Sequence, residues 1–310
     1  MFGKRTVIDM ISRSAENDAD RRAFLRTAGL TGLGAVGASA ATGLVGSSAS
    51  AAPSDAAVFN FALNLEYLEA EFYSRAVFGR GLNPNLTTGK GNRGPVIGGR
   101  EVNFSSKPVR EYAREIANDE IAHVKFLRAA LGSAKVARPR INLKSSFTAA
   151  ARAAGLVGPN QQFDAFANED AFLLAAFIFE DVGVTAYKGA APLVQNKAFL
   201  EAAAGILAAE AYHAATVRVS LISKGFFGEA RAISNARDKL DGPMERDQGI
   251  GFPNQYNVVP SNKNGLLRSR SAARVLNIVY LTQEKATRGG FFPRGVNGPI
   301  NTSMGPGRSA

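Results

Sequence analysis

The sequence predicts an all-α protein built on a four-helix bundle. A long loop joins helices 1 and 2, a crossover joins helices 2 and 3, and an irregular C-terminal extension follows. Three observations carry this reading. Four segments keep apolar residues at helical spacing and are closed by capping and breaking residues. The segments have matched lengths of about 24 to 28 residues, or roughly 36 to 42 Å of helix. Each also carries a glutamate on its apolar stripe, twice with a histidine one turn later.

The first helix starts after Pro53, with Ser54 or Asp55 as cap, and stops at Phe78 before Gly79. The second begins near Ser106, carries Pro108 in its first turn and ends before Gly132. The third runs from Asp164 to Ala190, ahead of Pro192. The fourth opens at Asn196 and ends before Gly225. Pro fits a first helical turn, where its missing N–H has no partner to lose, and Gly suits the left-handed exit. About 27 residues, Gly79 to Ser105, link the first two helices, and about 31 link the second and third. Within the first loop GKGNRG, Gly89 to Gly94, matches a dinucleotide fingerprint, but no strand precedes it and no helix follows, so the match is rejected. The tail is mixed, with one short helix expected at Ser271 to Leu281 and GGFFPRGVNG expected to latch onto the bundle.

Composition removes several chemistries. The chain has 310 residues, no cysteine, no tryptophan and two histidines. Disulfides, cysteine nucleophiles, thiolate metal sites and a three-histidine zinc site are excluded. The formal net charge is +11, yet Lys and Arg are scattered without interleaved aromatics, which argues against nucleic acid as a partner.

The N-terminus, residues 1–51, reads as a targeting segment. RRAFLR (Arg21 to Arg26) precedes a Gly/Ala-rich apolar stretch and then SSASAAP, with small residues suited to cleavage near Ala51. Charged region, apolar region and small-residue site stand in the order of a secretory signal, and the paired arginines are of the twin-arginine type. The alternative, an uncleaved anchor, fits less well because the stretch is only weakly hydrophobic. The expectation is export, to a periplasmic or extracellular location. The bundle is expected over 54–225 and the extension over 226–310.

In the second helix Glu120 and His123 are three apart and share a face with Tyr112, Ile116, Leu127 and Ala130. In the fourth, Glu210 and His213 share one with Leu200, Ala203, Leu207, Val217 and Ser220. The first and third helices place Glu66 and Glu180 on their stripes, each with a tyrosine seven residues on, Tyr73 and Tyr187. The pattern Glu-x6-Tyr, Glu-x-x-His thus occurs twice, an internal two-fold repeat. With 15 glutamates in the chain, chance would place one three before both histidines about once in 400. Carboxylates buried without partners cost several kcal/mol each, and a pair of dications removes that cost. Oxygen donors with two imidazoles suit Fe or Mn better than Cu or structural Zn. Glu69 could also face inward and is an alternative ligand to Glu66; Glu71 and Asp119 fall off their stripes.

This donor set resembles the ferritin-like superfamily, the di-iron or di-manganese carboxylate bundles with one Glu from each of two helices and Glu-x-x-His from the other two. The resemblance implies that Glu120 and Glu210 bridge two metal ions, that His123 and His213 bind one each, and that Glu66 and Glu180 are terminal ligands. Tyr73 and Tyr187 would orient carboxylates. NFALNLEYLEAEFY, EIANDEIAHVKFLRAALG, LNIVY and GGFFPRGVNG look most like the desiccation-related ferritin-like family, over Ala56 to Asn301. That resemblance implies a role in dehydration or oxidative stress. Peroxide disproportionation or a ferroxidase-type reaction, with peroxide or dioxygen as partner, is one expectation. Metal binding or storage without turnover, and structural protection with the metal only stabilising the fold, are the others. The long loop and tail argue against a standard storage cage and leave room for a smaller homo-oligomer.

Overall fold

The computed structural model describes residues 53–306; the targeting segment expected at the N-terminus lies outside them. The long helices are α1 (Asp55–Phe78), α2 (Lys107–Leu131), α4 (Glu169–Ala190) and α5 (Lys197–Ser223). Between α2 and α4 lies α3 (Ser145–Ala153), and after the bundle come α6 (Phe227–Asp241) and α7 (Ala272–Tyr280). Among the described residues no helix is long and apolar enough to cross a membrane.

Side chains set the starts of the long helices. Ser54, Ser106, Asn168 and Asn196 each accept a hydrogen bond from a backbone N–H of the first turn, which satisfies donors with no intrahelical partner. At the other end of α1, Gly79 adopts φ +66°, and its N–H donates to the Arg75 carbonyl. The third long helix begins at Glu169, five residues later than expected from Asp164. The physical reason is that Asp164 Oδ1 accepts from Phe166 N, closing a turn, while Asn168 supplies the cap.

α1 packs along α2 and α4 along α5, and the two pairs close on one another. Contacts between helices give the directions. Asn60 near the start of α1 bonds to Ala134 just past the end of α2, so α1 and α2 are antiparallel. Asp119 of α2 meets His213 of α5, and His123 meets Glu210, so these two are antiparallel as well. The α2–α4 connection therefore traverses the bundle. Phe147 of its helix α3 packs into an aromatic cluster with Phe72, Phe166, Phe179 and the tail residue Phe291. Two outward positions differ from the sequence expectation: Tyr112 and Leu200, near the starts of their helices, are exposed.

The long first loop is tied down by a two-residue parallel ladder, β1 (Val96–Ile97) on β2 (Ile141–Asn142), and by a bridge from Lys90 to Val136. This explains GKGNRG without any nucleotide. A Cβ at Gly89 would stand 2.4 Å from the Val136 backbone, and one at Gly94 would stand 2.5 Å from that of Arg140. These glycines let two chain segments lie against each other.

The tail is more ordered than its composition suggests. Phe291 and Phe292 are fully buried. Asn297 exchanges hydrogen bonds with Asn64 of α1, through Asn64 Nδ2 to its carbonyl at 2.8 Å and its own N–H to Asn64 Oδ1 at 2.9 Å. Helix α6 has no counterpart in the sequence expectation. Its inward residues are Ala230, Ile233, Ser234, Arg237 and Asp241, a helical spacing carried largely by polar side chains. Those polar groups belong to a buried ionic cluster. Arg218 of α5 makes a fork with Asp181 of α4 at 2.9 and 2.8 Å. Arg237 bonds Asp181 and Asp247, and Arg270 bonds Asp241 and Asp247. This cluster fastens the tail to α4 one residue beyond Glu180.

Candidate metal centre

Six side chains from the four long helices converge at the middle of the bundle. Glu66, Glu120 and Glu210 have no exposed surface, Glu180 is 1% exposed, and His213 and His123 are 5% and 9% exposed. Antiparallel packing brings the two Glu-x-x-His pairs face to face, each histidine lying beside the other pair's glutamate. His123 Nδ1 is 3.2 Å from Glu66 Oε2, 3.7 Å from Glu120 Oε2 and 4.0 Å from Glu210 Oε1. His213 Nδ1 is 3.2 Å from Glu120 Oε1 and 3.8 Å from Glu180 Oε2. Glu120 thus directs one oxygen to each histidine. Ligand atoms fall into two groups of metal-binding size, Glu66, Glu120, His123 and Glu210 in one, Glu180, Glu210 and His213 in the other. Glu210 is common to both.

The tyrosines pair crosswise. Tyr73 of α1 donates to Glu180 Oε1 on α4, and Tyr187 of α4 donates to Glu66 Oε1 on α1. Each tyrosine holds one oxygen of a glutamate and leaves the other facing inward. The atoms left over are informative. Glu66 Oε2, both oxygens of Glu120 and of Glu210, Glu180 Oε2, and Nδ1 of both histidines are buried without a hydrogen-bond partner. Buried polar groups are ordinarily satisfied, and here the orphans share one space. Electrostatics agrees. Burial pushes Glu66 up to about 7 and Glu180 up to about 8, against the neighbouring imidazoliums, and holds Glu210 well above the usual carboxylate range. Burial would lower the histidines, but the surrounding carboxylates, with Asp119 bonded to His213, outweigh it and raise His123 to about 11 and His213 to about 10. The metal-free cluster therefore fills itself with protons where cations would fit.

The remaining acidic residues separate by their surroundings. Glu69 is buried, but outside both ligand groups. It packs on Leu65, Leu68, Ile178, Phe179 and Val182, with its Oε1 over Gly183 on the side of Glu210, and burial, with the charges of Glu120 and Glu180, holds its carboxyl well above the ordinary range. Glu71 is also buried and bonds Arg75 at 3.0 Å and Arg138. Asp119, which helix spacing sets aside, needs a correction. Its Oδ2 lies 3.1 Å from His213 Nε2, because α5 runs along the flank of α2 that Asp119 occupies. Periodicity within one helix carries no information about that neighbour. Gly183 also escaped notice. A Cβ there would stand 2.4 Å from Glu210 Oε2, so a glycine one turn after Glu180 makes room for Glu210.

A buried cluster of glutamates and histidines at the heart of a four-helix bundle, with its tyrosine donors, defines a ferritin-like carboxylate protein. The comparison with known families agrees: the ferritin-like domain matches residues 54–223, and the chain belongs to that family. It is 30% identical to the desiccation-related protein PCC13-62 of Craterostigma plantagineum over 79% of this chain and 83% of that protein. It is 28% identical to the ferritin-like catalase Nec2 of Nesocodon mauritianus over 79% of this chain and 84% of the relative. No solved structure matches the chain significantly.

Proposed function

We propose that the chain is an exported protein holding a dinuclear non-haem Fe or Mn centre, and that it protects against oxidative or desiccation stress by redox chemistry on peroxide or dioxygen. The observation that carries this is the set of orphaned oxygens and nitrogens aimed into one buried space. In this reading Glu66, Glu120, His123, Glu180, Glu210 and His213 would hold the two ions, and Tyr73 and Tyr187 would keep the Glu180 and Glu66 carboxylates in place. Similarity to a protein named a ferritin-like catalase supports peroxide disproportionation, in which two peroxides yield two waters and one dioxygen. The bound metals supply the two-electron capacity that the side chains lack. The histidines are the least buried of the six donors. Export rests on the twin-arginine-type segment alone.

Protein purified without added metal is expected to carry about two Fe or Mn ions per chain and to consume peroxide. His123→Ala and Glu180→Ala are each expected to lower bound metal. Only trace metal in the wild type, or full occupancy in both variants, would overturn the centre. Two ions with neither peroxide nor dioxygen chemistry would replace the redox reading with non-catalytic binding or structural protection, which similarity to a protein named only desiccation-related would favour.

The acidities add a prediction about metal removal. The folded-state values of Glu66 and Glu180, about 7 and 8, stand above their ordinary 4.5, so the metal-free fold binds more protons than the unfolded chain. That stability is complete below about pH 4.5 and is lost as pH rises through 8. The raised histidines act in the same direction above 6.5. Bound ions displace these protons. The Tm difference between metal-loaded and metal-free protein is therefore expected to widen from pH 5 to pH 8. A constant difference across that range would contradict protons and metals competing for one site.

A further inference from the structure

The two-fold repeat holds at the six candidate ligands and both tyrosines, and breaks one residue away. Asp119 precedes Glu120, whereas Ala209 precedes Glu210. Ala209 holds the position in the repeat on α5 that Asp119 holds on α2. Asp119 meets His213 Nε2 at 3.1 Å. Ala209 has no polar side chain to offer His123, and among the described residues no hydrogen bond reaches His123 Nε2; the close carboxylates all lie at its Nδ1. A carboxylate on the outer nitrogen fixes the imidazole plane, keeps the proton on that nitrogen and leaves the inner lone pair free for a metal. The histidine rings stand 6.2 Å apart and tilted by 32°, so one ring is anchored from outside and the other is not.

We propose that Asp119 is a positioning residue that makes the two halves of the centre unequal. The half built on His213 and Glu180 takes the first ion, and the half built on His123 and Glu66 takes the second. This rests on the dinuclear reading above.

The test is a titration of the metal-free full chain with Mn²⁺, following the free-ion EPR signal and the change from an isolated to a coupled bound signal. The wild type is expected to bind two ions in separable steps, with coupling appearing only at the second. Asp119→Ala is expected to weaken the first step by roughly 10- to 100-fold, merging it with the second, and Asp119→Asn to fall between. The Asp119 side chain is 46% exposed, so neither change opens the core; circular dichroism checks this. Ala209→Asp places a carboxylate at the matching position on α5 and is expected to tighten the second step. An unchanged two-step curve in Asp119→Ala, or equal weakening of both steps, overturns the inference while leaving the dinuclear reading intact. A wild type that never binds a second Mn²⁺ overturns the reading itself.

Discussion

Glu120→Ala is expected to lower bound metal from about two ions per chain to nearly none, a larger loss than from either histidine. Glu120 turns one oxygen to each histidine, 3.2 Å from His213 Nδ1 and 3.7 Å from His123 Nδ1. Truncating it takes a donor from both halves at once. His123→Ala takes a donor from one half, so a residual ion is expected there. Glu120→Gln keeps the volume and removes the charge, and separates loss of ligation from loss of packing. Metal analysis by mass spectrometry, with circular dichroism to confirm the fold, makes the comparison. Full occupancy in Glu120→Ala would show that the ions sit elsewhere.

Arg218→Met is expected to give a large loss of stability, about 3 to 5 kcal/mol, because it breaks a buried charge pair from one side. For a folded body of this size that corresponds to a fall in Tm of roughly 10 °C. Arg218 has no exposed surface. Its guanidinium is forked onto Asp181 and also donates to the carbonyls of Gln248, Gly249 and Asn257. The methionine fills the space and leaves Asp181 Oδ1 and the carbonyls of Gln248 and Asn257 without these donors, while Arg237 stays on Asp181 Oδ2. Since the two carbonyls belong to the tail, protease sensitivity between residues 242 and 269 is expected to rise along with the drop in Tm. A shift of only a degree or two would mean that the tail docks without this cluster.

Much of the bundle is legible in the chain because its four helices are long, strongly periodic and closed by Ser, Asn, Gly and Pro in their ordinary capping roles. α6 was hidden for the opposite reason. Its inward stripe includes Ser234, Arg237 and Asp241, which read as a solvated face until Asp181, Asp247 and Arg270 are placed around them. The start of α4 was misjudged because Asp164 and Asn168 are both plausible caps, and only the turn closed at Phe166 selects the second.

The candidate ligands divide along the same line. Spacing within single helices determined that Glu66, Glu120, His123, Glu180, Glu210 and His213 face inward, since three- and four-residue steps return a side chain to one face. Tertiary structure alone decided which helix lies beside which. It crossed Tyr73 to Glu180 and Tyr187 to Glu66, brought Asp119 to His213, and let Glu210 close in over Gly183. Those contacts join residues 94 to 121 positions apart where hydrogen bonds form. They depend on the antiparallel setting of whole helices, and a periodicity within one helix cannot encode the direction of its neighbour.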